Sequence, residues 1–528
     1  MLKRTLVMLL AAMMLLTALP ALGDAATDGW DVPYEEPVQV HVALEEIVNA
    51  VFAEGEDMTD NLWTRRFKEK YNVEVIVDWI SIEYDTKLNL AIASNTLPDI
   101  FKCNTVQFNQ LKDAGRLLPL NDAYETNASP SMKKMMEDNW DIVETAMVGE
   151  DIMGMPRLHY GYECLTSFAW IRDDWAQANG ITELKTVDDI TAMMDAFMTN
   201  NGAKYGVMLD KTLSCFYEMA PVFHATPKIW VEDENGQLVY GSTLQETKDA
   251  LRQWADWYAA GYVRPDFGTL DNAAMLEDAY KGNTGFYCQQ NWAGWSVGKD
   301  MIENLGEGTY MTAHDLPSVD DKPVMFPIAF PNSVYNVVNA NYDHPEVLMK
   351  LTSCYIDVLN DSVSNGTMTI EEALPFGSND MHHVTGPFKV EFTSYNDTKE
   401  VCNALTTGDE TFSTGYAYIY YNEARKWPEN GDLTSLGRYL QMGYDGASLV
   451  RSTRYVDNDQ LIKSKLWGAQ PQAMLDYGTT LDDLLVEGFT QIIMGVESID
   501  YFDVLIESWY MAGGEQVTAA VNEMYGNK

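Results

Sequence analysis

The chain has 528 residues, 46% of them hydrophobic, more than one ordinary core accommodates, which predicts two or more lobes. Its 35 basic and 79 acidic residues give a net charge of −44. Such a surface repels phosphate backbones and anionic lipid heads, which argues against nucleic acid and anionic ligands and favours a neutral or cationic one.

MLKR is a short basic opening, LVMLLAAMMLL (6–16) is apolar, and TALPALG places Ala21 and Gly23 at the −3 and −1 positions of a cleavage site. This predicts a secretory signal peptide over 1–23, too short and wrongly flanked for a spanning helix. No later stretch reaches eighteen uninterrupted apolar residues, so the mature chain is expected to be exported and soluble. VQVHVAL (38–44) alternates and is β-branched, which predicts a strand. DNLWTRRFKEKY (60–71) carries Leu62, Phe67 and Tyr71 at helical spacing. VEVIVDWI (73–80) predicts a second strand, YDTKLNLAIAS (84–94) a helix, LPDIFKC (97–103) a short third strand, and QFNQLKDAGRLLPL (107–120) a helix stopping at Gly115. Alternation at this pace predicts a mostly parallel βαβ sheet, with ligands at the carboxyl ends of its strands. Glu45, Glu46, Ser81 and Asn104 fall near that rim.

Further on, TVDDITAMMDAFM (186–198) reads as a helix capped by Thr186, and IWVEDENGQLVYG (229–241) as a hairpin turning at Asn235 and Gly236. LQETKDALRQWADWYAAGY (244–262) is amphipathic, with Leu244, Leu251, Trp254 and Tyr258 on one stripe and Gly261 as its stop. HDLPSV (314–319) and VYNVVNA (334–340) are strand-like, and DHPEVLMKLTSCYIDVL (343–359) is a helix with Pro345 in its first turn. The remainder is mostly helical in pattern. The six cysteines show no CxxC spacing and are expected to be buried free thiols.

Two stretches have the composition of a carbohydrate site. LHYGYECLTSFAWIRDDW (158–175) gathers Tyr160, Tyr162, Glu163, Trp170 and Trp175 with Arg172, Asp173 and Asp174. GFYCQQNWAGWSVG (285–298) sets Trp292 and Trp295 among small residues after a predicted strand, either as core indoles or as stacking platforms for a sugar face. A glycosidase needs two carboxyl groups roughly 5–10 Å apart across the scissile bond. With 79 acids no pair stands out, so catalysis is not expected. DSVSNGTMTIEE (361–372) partly mimics an EF-hand loop, but Val363 removes a ligand oxygen, which favours an inter-helix loop. His382 and His383 are adjacent, expected to point apart, and lack zinc spacing; there is no HExxH, GxSxG or phosphate loop. No metal or cofactor is expected.

Seven segments in order resemble the extracellular solute-binding proteins of bacterial carbohydrate ABC importers, family 1 and LplA-like. They are DNLWTRRFKEKYNVEV, LPDIF with LKDAGRLLPLND, EDIMGMP, FAWIRDDWAQANGI, WADWYAAGYVRPDF, NVVNANYDHPEVLMKL, and the long block beginning GFTQIIMGVESIDYF. The resemblance implies an α/β, bilobal periplasmic-binding-protein-like fold (type II) with mixed, mostly parallel sheets and a hinge near Met155 and Pro156. It implies lobe 1 over 37–157 plus 313–368, and lobe 2 over 158–312 plus 369–528. Between the lobes it implies a ligand site, for which Trp292, Trp295, Tyr160, Tyr162, Glu163, Asn104 and Glu45 are the candidates. Arg172, Asp173 and Asp174 fit the start of a helix better than a site. Most relatives carry an acylated lipobox cysteine, whereas the first cysteine here is Cys103, so lipid anchoring is not expected and the protein would lie in a periplasm or at a cell surface.

The resulting expectation is a monomeric, non-enzymatic capture protein that closes on a neutral oligosaccharide and presents it to ABC permease subunits. A secreted glycan-active enzyme, a sugar sensor paired with a membrane kinase, and a binder of cationic peptides are the alternatives.

Overall fold

A computed structural model describes residues 29–48, 50–157, 165–331, 334–377, 381–390, 395–468 and 470–526. The leader over 1–23 and the candidates Tyr160, Tyr162 and Glu163 lie outside the described residues.

The alternating apolar residues of Val38–Glu45 make an interior strand of a five-stranded sheet. Val40 and Val42 are fully buried in it. The strand order is Val73–Ser81, Val38–Glu45, Ile100–Asn104, Val334–Val338, Met155–Pro156. The first three strands are mutually parallel. Val334–Val338 runs antiparallel to Ile100–Asn104 because it returns from the far half of the chain, and it pairs antiparallel with Met155–Pro156. Helices flank this sheet where the spacing places them. Leu62–Tyr71 starts at Asn61, whose side chain and that of Thr64 form a reciprocal capping box. Tyr84–Ser94 matches its predicted bounds.

The second sheet is antiparallel throughout: Phe286–Gln290, Ser167–Arg172, Met311–His314. Outside the first sheet, the short strands Phe326–Ile328 and Leu461–Lys463 also pair in parallel. The strand expected over 314–319 instead ends at His314, where the register with Ser167–Arg172 runs out and Pro317 follows. Thr186 caps Val187–Asn200 as expected. In Gln245–Ala259 the buried stripe is Leu251, Trp254 and Trp257; Tyr258, expected on it, is only partly buried.

Two large cores result. One surrounds the five-stranded sheet, the other the antiparallel sheet with the C-terminal helices Gln472–Ile493, Tyr501–Trp509 and Glu515–Tyr525. The expected lobe division differs from this packing at two places. Ala313, Leu316, Val324, Phe326 and Ile328 pack in the second core, and Phe376, Phe388, Val401 and Tyr416 pack in the first. Helices alone gave no sheet periodicity from which to place 369–421. Helices Leu436–Met442 and Ser448–Asp457 straddle both cores, sending Leu436, Leu440 and Tyr455 to the second and Met442 and Leu449 to the first.

The connections place the site. The chain leaves the first sheet at Pro156 and enters the second at Ser167; it leaves the second at His314 and re-enters the first at Val334. Both crossings depart from one edge of each sheet. In the first sheet that edge holds Glu45, Ser81 and Asn104, and in the second it holds Ser167, Gln290 and His314.

Candidate ligand-binding site

On the first rim, the strand ends open onto a pocket of about 480 Å³ lined by Glu45, Lys102, Asn104, Tyr84, Glu83 and Asp85. Glu45 and Asn104, predicted from strand ends alone, are thus brought together. Glu45 pairs with Lys102, whose ammonium lies 4.8 Å from the centre of the Tyr84 ring. The Tyr84 hydroxyl donates to the Lys102 carbonyl at 3.0 Å, and burial holds it protonated far above the ordinary tyrosine range. Asn104 also caps helix Thr105–Asp113: its Oδ1 accepts from the Gln107 backbone N–H at 3.0 Å, and its own backbone N–H donates to Gln107 Oε1 at 3.0 Å. Capping uses the side-chain oxygen, which leaves the Nδ2 donor for a ligand.

On the second rim, Phe286–Gln290 ends and the short helix Ala293–Ser296 begins. Trp292 is 40% exposed and Trp295 43%; among the described tryptophans only Trp140 is comparably open. Neither is a core indole. The small residues between them explain why: Ala293 is buried, and a Cβ on Gly294 would stand 3.0 Å from Leu440 Cβ and 3.2 Å from the Trp170 ring. Close packing of the backbone there turns the two large rings outward. They are not equivalent. The Trp295 ring lies directly on Gly437, where an added Cβ would come within 2.3 Å, and the Arg438 guanidinium is 5.5 Å from its centre. Arg438 also stacks 3.8 Å from Tyr420 and bonds Glu423 at 3.0 Å. Among the described residues no ring or cation stacks on Trp292, so its face is the open one.

Sequence reasoning missed Tyr84, Lys102 and, on the second rim, Glu218. Tyr84 opens the helix Tyr84–Ser94 and Lys102 is the middle residue of Ile100–Asn104, so strand-end position marked neither; Glu218 sits on a helix of six residues, Ser214–Met219, too short to show periodicity.

Other motifs resolve as structure. Arg172 grips Asp174 through Nε at 2.7 Å and Nη2 at 2.5 Å and stacks 4.3 Å from Trp175, while Asp173 and Asp174 occupy the first turn of Asp173–Ala178. Asp174 thus serves Arg172 rather than a free amide. In 361–372, Glu372 accepts from the Thr369 amide at 2.7 Å and Asn365 from the Thr367 amide at 3.0 Å, as an inter-helix loop does. His382 and His383 do not diverge: the 3-10 turn Met381–His383 brings their rings to 4.0 Å. Among the described residues no cluster of three or more His, Cys, Asp or Glu is arranged for a metal.

Residues 63–310 match the family model described as bacterial extracellular solute-binding protein. Over that stretch the chain is similar to this family. Lipoprotein LipO of Bacillus subtilis (strain 168) is 21% identical over 490 residues, 87% of each chain. A shorter match, 28% identical over 154 residues, covers 27% of this chain and 28% of the fructooligosaccharide ABC transporter substrate-binding protein FusA of Streptococcus pneumoniae. In fold the chain is similar to an ABC-transporter-associated, HMO-binding solute-binding protein from Bifidobacterium longum infantis, with a TM-score of 0.63 at 11% identity over 93% of this chain and 98% of that one. The extracellular solute-binding fold is thus periplasmic-binding-protein-like, with mixed sheets.

Proposed function

We propose that this solute-binding protein is the capture component of an ABC importer and binds a neutral oligosaccharide between its two rims. The observation that carries this is the placement of an exposed indole, Trp292, on one sheet edge and a pocket of about 480 Å³ bearing Glu45, Lys102 and Asn104 on the other, both at the edges from which the crossings depart. A sugar presents C–H-rich faces to an indole and hydroxyls to polar groups, so the two rims are complementary to its two kinds of surface. The names of the relatives support the substrate class: FusA is named for fructooligosaccharides and the Bifidobacterium protein is HMO-binding. The family is one of binding proteins, and no chemistry is done on the ligand.

In this reading the first lobe is built on the core of the five-stranded sheet and the second on that of the antiparallel sheet. Closure on ligand presents one shape to the permease subunits. The protein acts as an exported monomer, and Tyr160, Tyr162 and Glu163 remain candidates for ligand contact from the sequence.

The test is thermal unfolding against a panel of oligosaccharides and peptides. A ligand at about 100 times its dissociation constant adds roughly 2.7 kcal/mol of stability. The reading stands if an oligosaccharide raises the midpoint and is recovered intact. It fails if peptides do so and no glycan does.

A further inference from the structure

Glu218 is the carboxylate best placed to read sugar hydroxyls on the second rim. Its helix, Ser214–Met219, packs on Phe286–Gln290. One carboxylate oxygen accepts from the Ser167 hydroxyl and the other from Gln290 Nε2 at 3.1 Å. Ser167 and Gln290 are register partners at the sheet's end: Ser167 is the first residue after the crossing, and Gln290 stands two residues before Trp292. Gln290 is itself held, its amide donating to Gln289 Oε1 at 2.9 Å. The constellation is therefore fixed from both sides, while Glu218 and Gln290 keep part of their surface open.

A carboxylate offers about four acceptor positions, of which these two donors use two. Burial pushes the Glu218 carboxyl above its ordinary range, and the two hydrogen bonds act the other way. The acceptor positions left over are suited to further hydroxyl donors that replace water. The neighbouring amide and hydroxyl supply the complementary donor and acceptor, and the indole two residues on supplies the apolar face.

We propose that Glu218, held by Ser167 and Gln290, accepts hydrogen bonds from two adjacent hydroxyls of a sugar unit whose ring face lies on Trp292. The ligand class is a glycan with a free vicinal diol at the captured unit. The proposal rests on the oligosaccharide reading above.

The experiment is calorimetric titration of the full chain with a glycan identified in the panel and with its singly deoxygenated analogues. On the wild type, removal of either of two adjacent hydroxyls should weaken binding about tenfold or more, as for hydrogen bonds to a charged group. On Glu218→Gln, the parent glycan should bind about tenfold or more weakly, and the same two deoxygenations should then have little additional effect. Parent-like affinity of a folded Glu218→Gln, or undiminished deoxygenation effects in it, overturns the proposal while leaving oligosaccharide capture standing. If Glu218→Gln does not fold, the wild-type series decides: no adjacent pair of sensitive hydroxyls overturns it. A wild type that binds no glycan in the panel overturns both readings.

Discussion

Truncation of Trp292 separates a binding platform from a packing residue. A tryptophan side chain carries at most about 250 Å² of contact surface, so the 40% left exposed at Trp292 is about 100 Å². A sugar face that covers roughly half of it removes about 50 Å² from water on the indole and a similar area on the sugar. At about 25 cal/mol per Å² that amounts to about 2.5 kcal/mol, of which the alanine variant loses nearly all. The expected result for Trp292→Ala is a dissociation constant raised about 30-fold or more, measured by calorimetry against a glycan from the panel. Trp254, fully buried in the second core, provides the contrast: Trp254→Ala should lose about 3–5 kcal/mol of stability by urea unfolding. Trp292→Ala should lose far less, because much of the ring already faces water. A Trp292→Ala protein with unchanged affinity and a stability loss like that of Trp254→Ala would refute the reasoning, since the indole would then be supporting the fold.

Gly437→Ala should displace Trp295, because the new Cβ would meet the rigid ring at 2.3–2.4 Å; a changed near-UV circular dichroism spectrum and a stability loss of about 1–3 kcal/mol are expected, and an unaltered spectrum would contradict the packing. Arg172→Met should lose about 2 kcal/mol by urea unfolding, with glycan affinity unchanged, because the bidentate grip on Asp174 and the stack on Trp175 are structural. Burial, and then Arg451, holds His314 below its ordinary 6.5; the stability this represents is complete above that pH and is lost as pH falls toward the folded-state value. His314→Gln should therefore flatten the fall in urea midpoint between about pH 7 and about pH 5, and an unchanged slope would show that His314 does not carry it. The buried cysteines 103, 215, 288, 354 and 402 should resist a thiol reagent in the native protein and all react in denaturant without reductant; any shortfall among them would reveal a disulfide.

The first sheet was legible because its information is local. Val38–Glu45 and Val73–Ser81 alternate or run apolar, Asn61 and Thr186 are caps with a partner three residues on, and Gly115 and Gly261 stop helices at positive φ. Strand ends follow from strand limits, so the position of Glu45 and Asn104 at the sheet edge was legible without a structure. Glu218 was not, because its partners Ser167 and Gln290 lie 51 and 72 residues away and are joined to it only by tertiary packing. The same limit applies to residues 369–421. Their helices bury apolar stripes that fit either core, and only the folded chain assigns Phe376 and Tyr416 to the first.

Closure sets a condition that connects the two rims. A ligand shifts an equilibrium between open and closed forms only by the difference in its affinity for the two. Contact with Trp292 and Glu218 alone would be made equally well in the open form, and would tighten binding without driving closure. Under the proposed function the first-rim groups would supply the difference: Asn104 through its Nδ2 donor, and the Glu45–Lys102 pair through exchange of its mutual contact for sugar hydroxyls. Moving from about 1% to about 99% closed takes about 5.5 kcal/mol of such difference, more than one neutral hydrogen bond yields. A single sugar unit held at one rim falls short of that. A ligand long enough to engage both rims meets it, which is why the geometry favours an oligosaccharide over a monosaccharide.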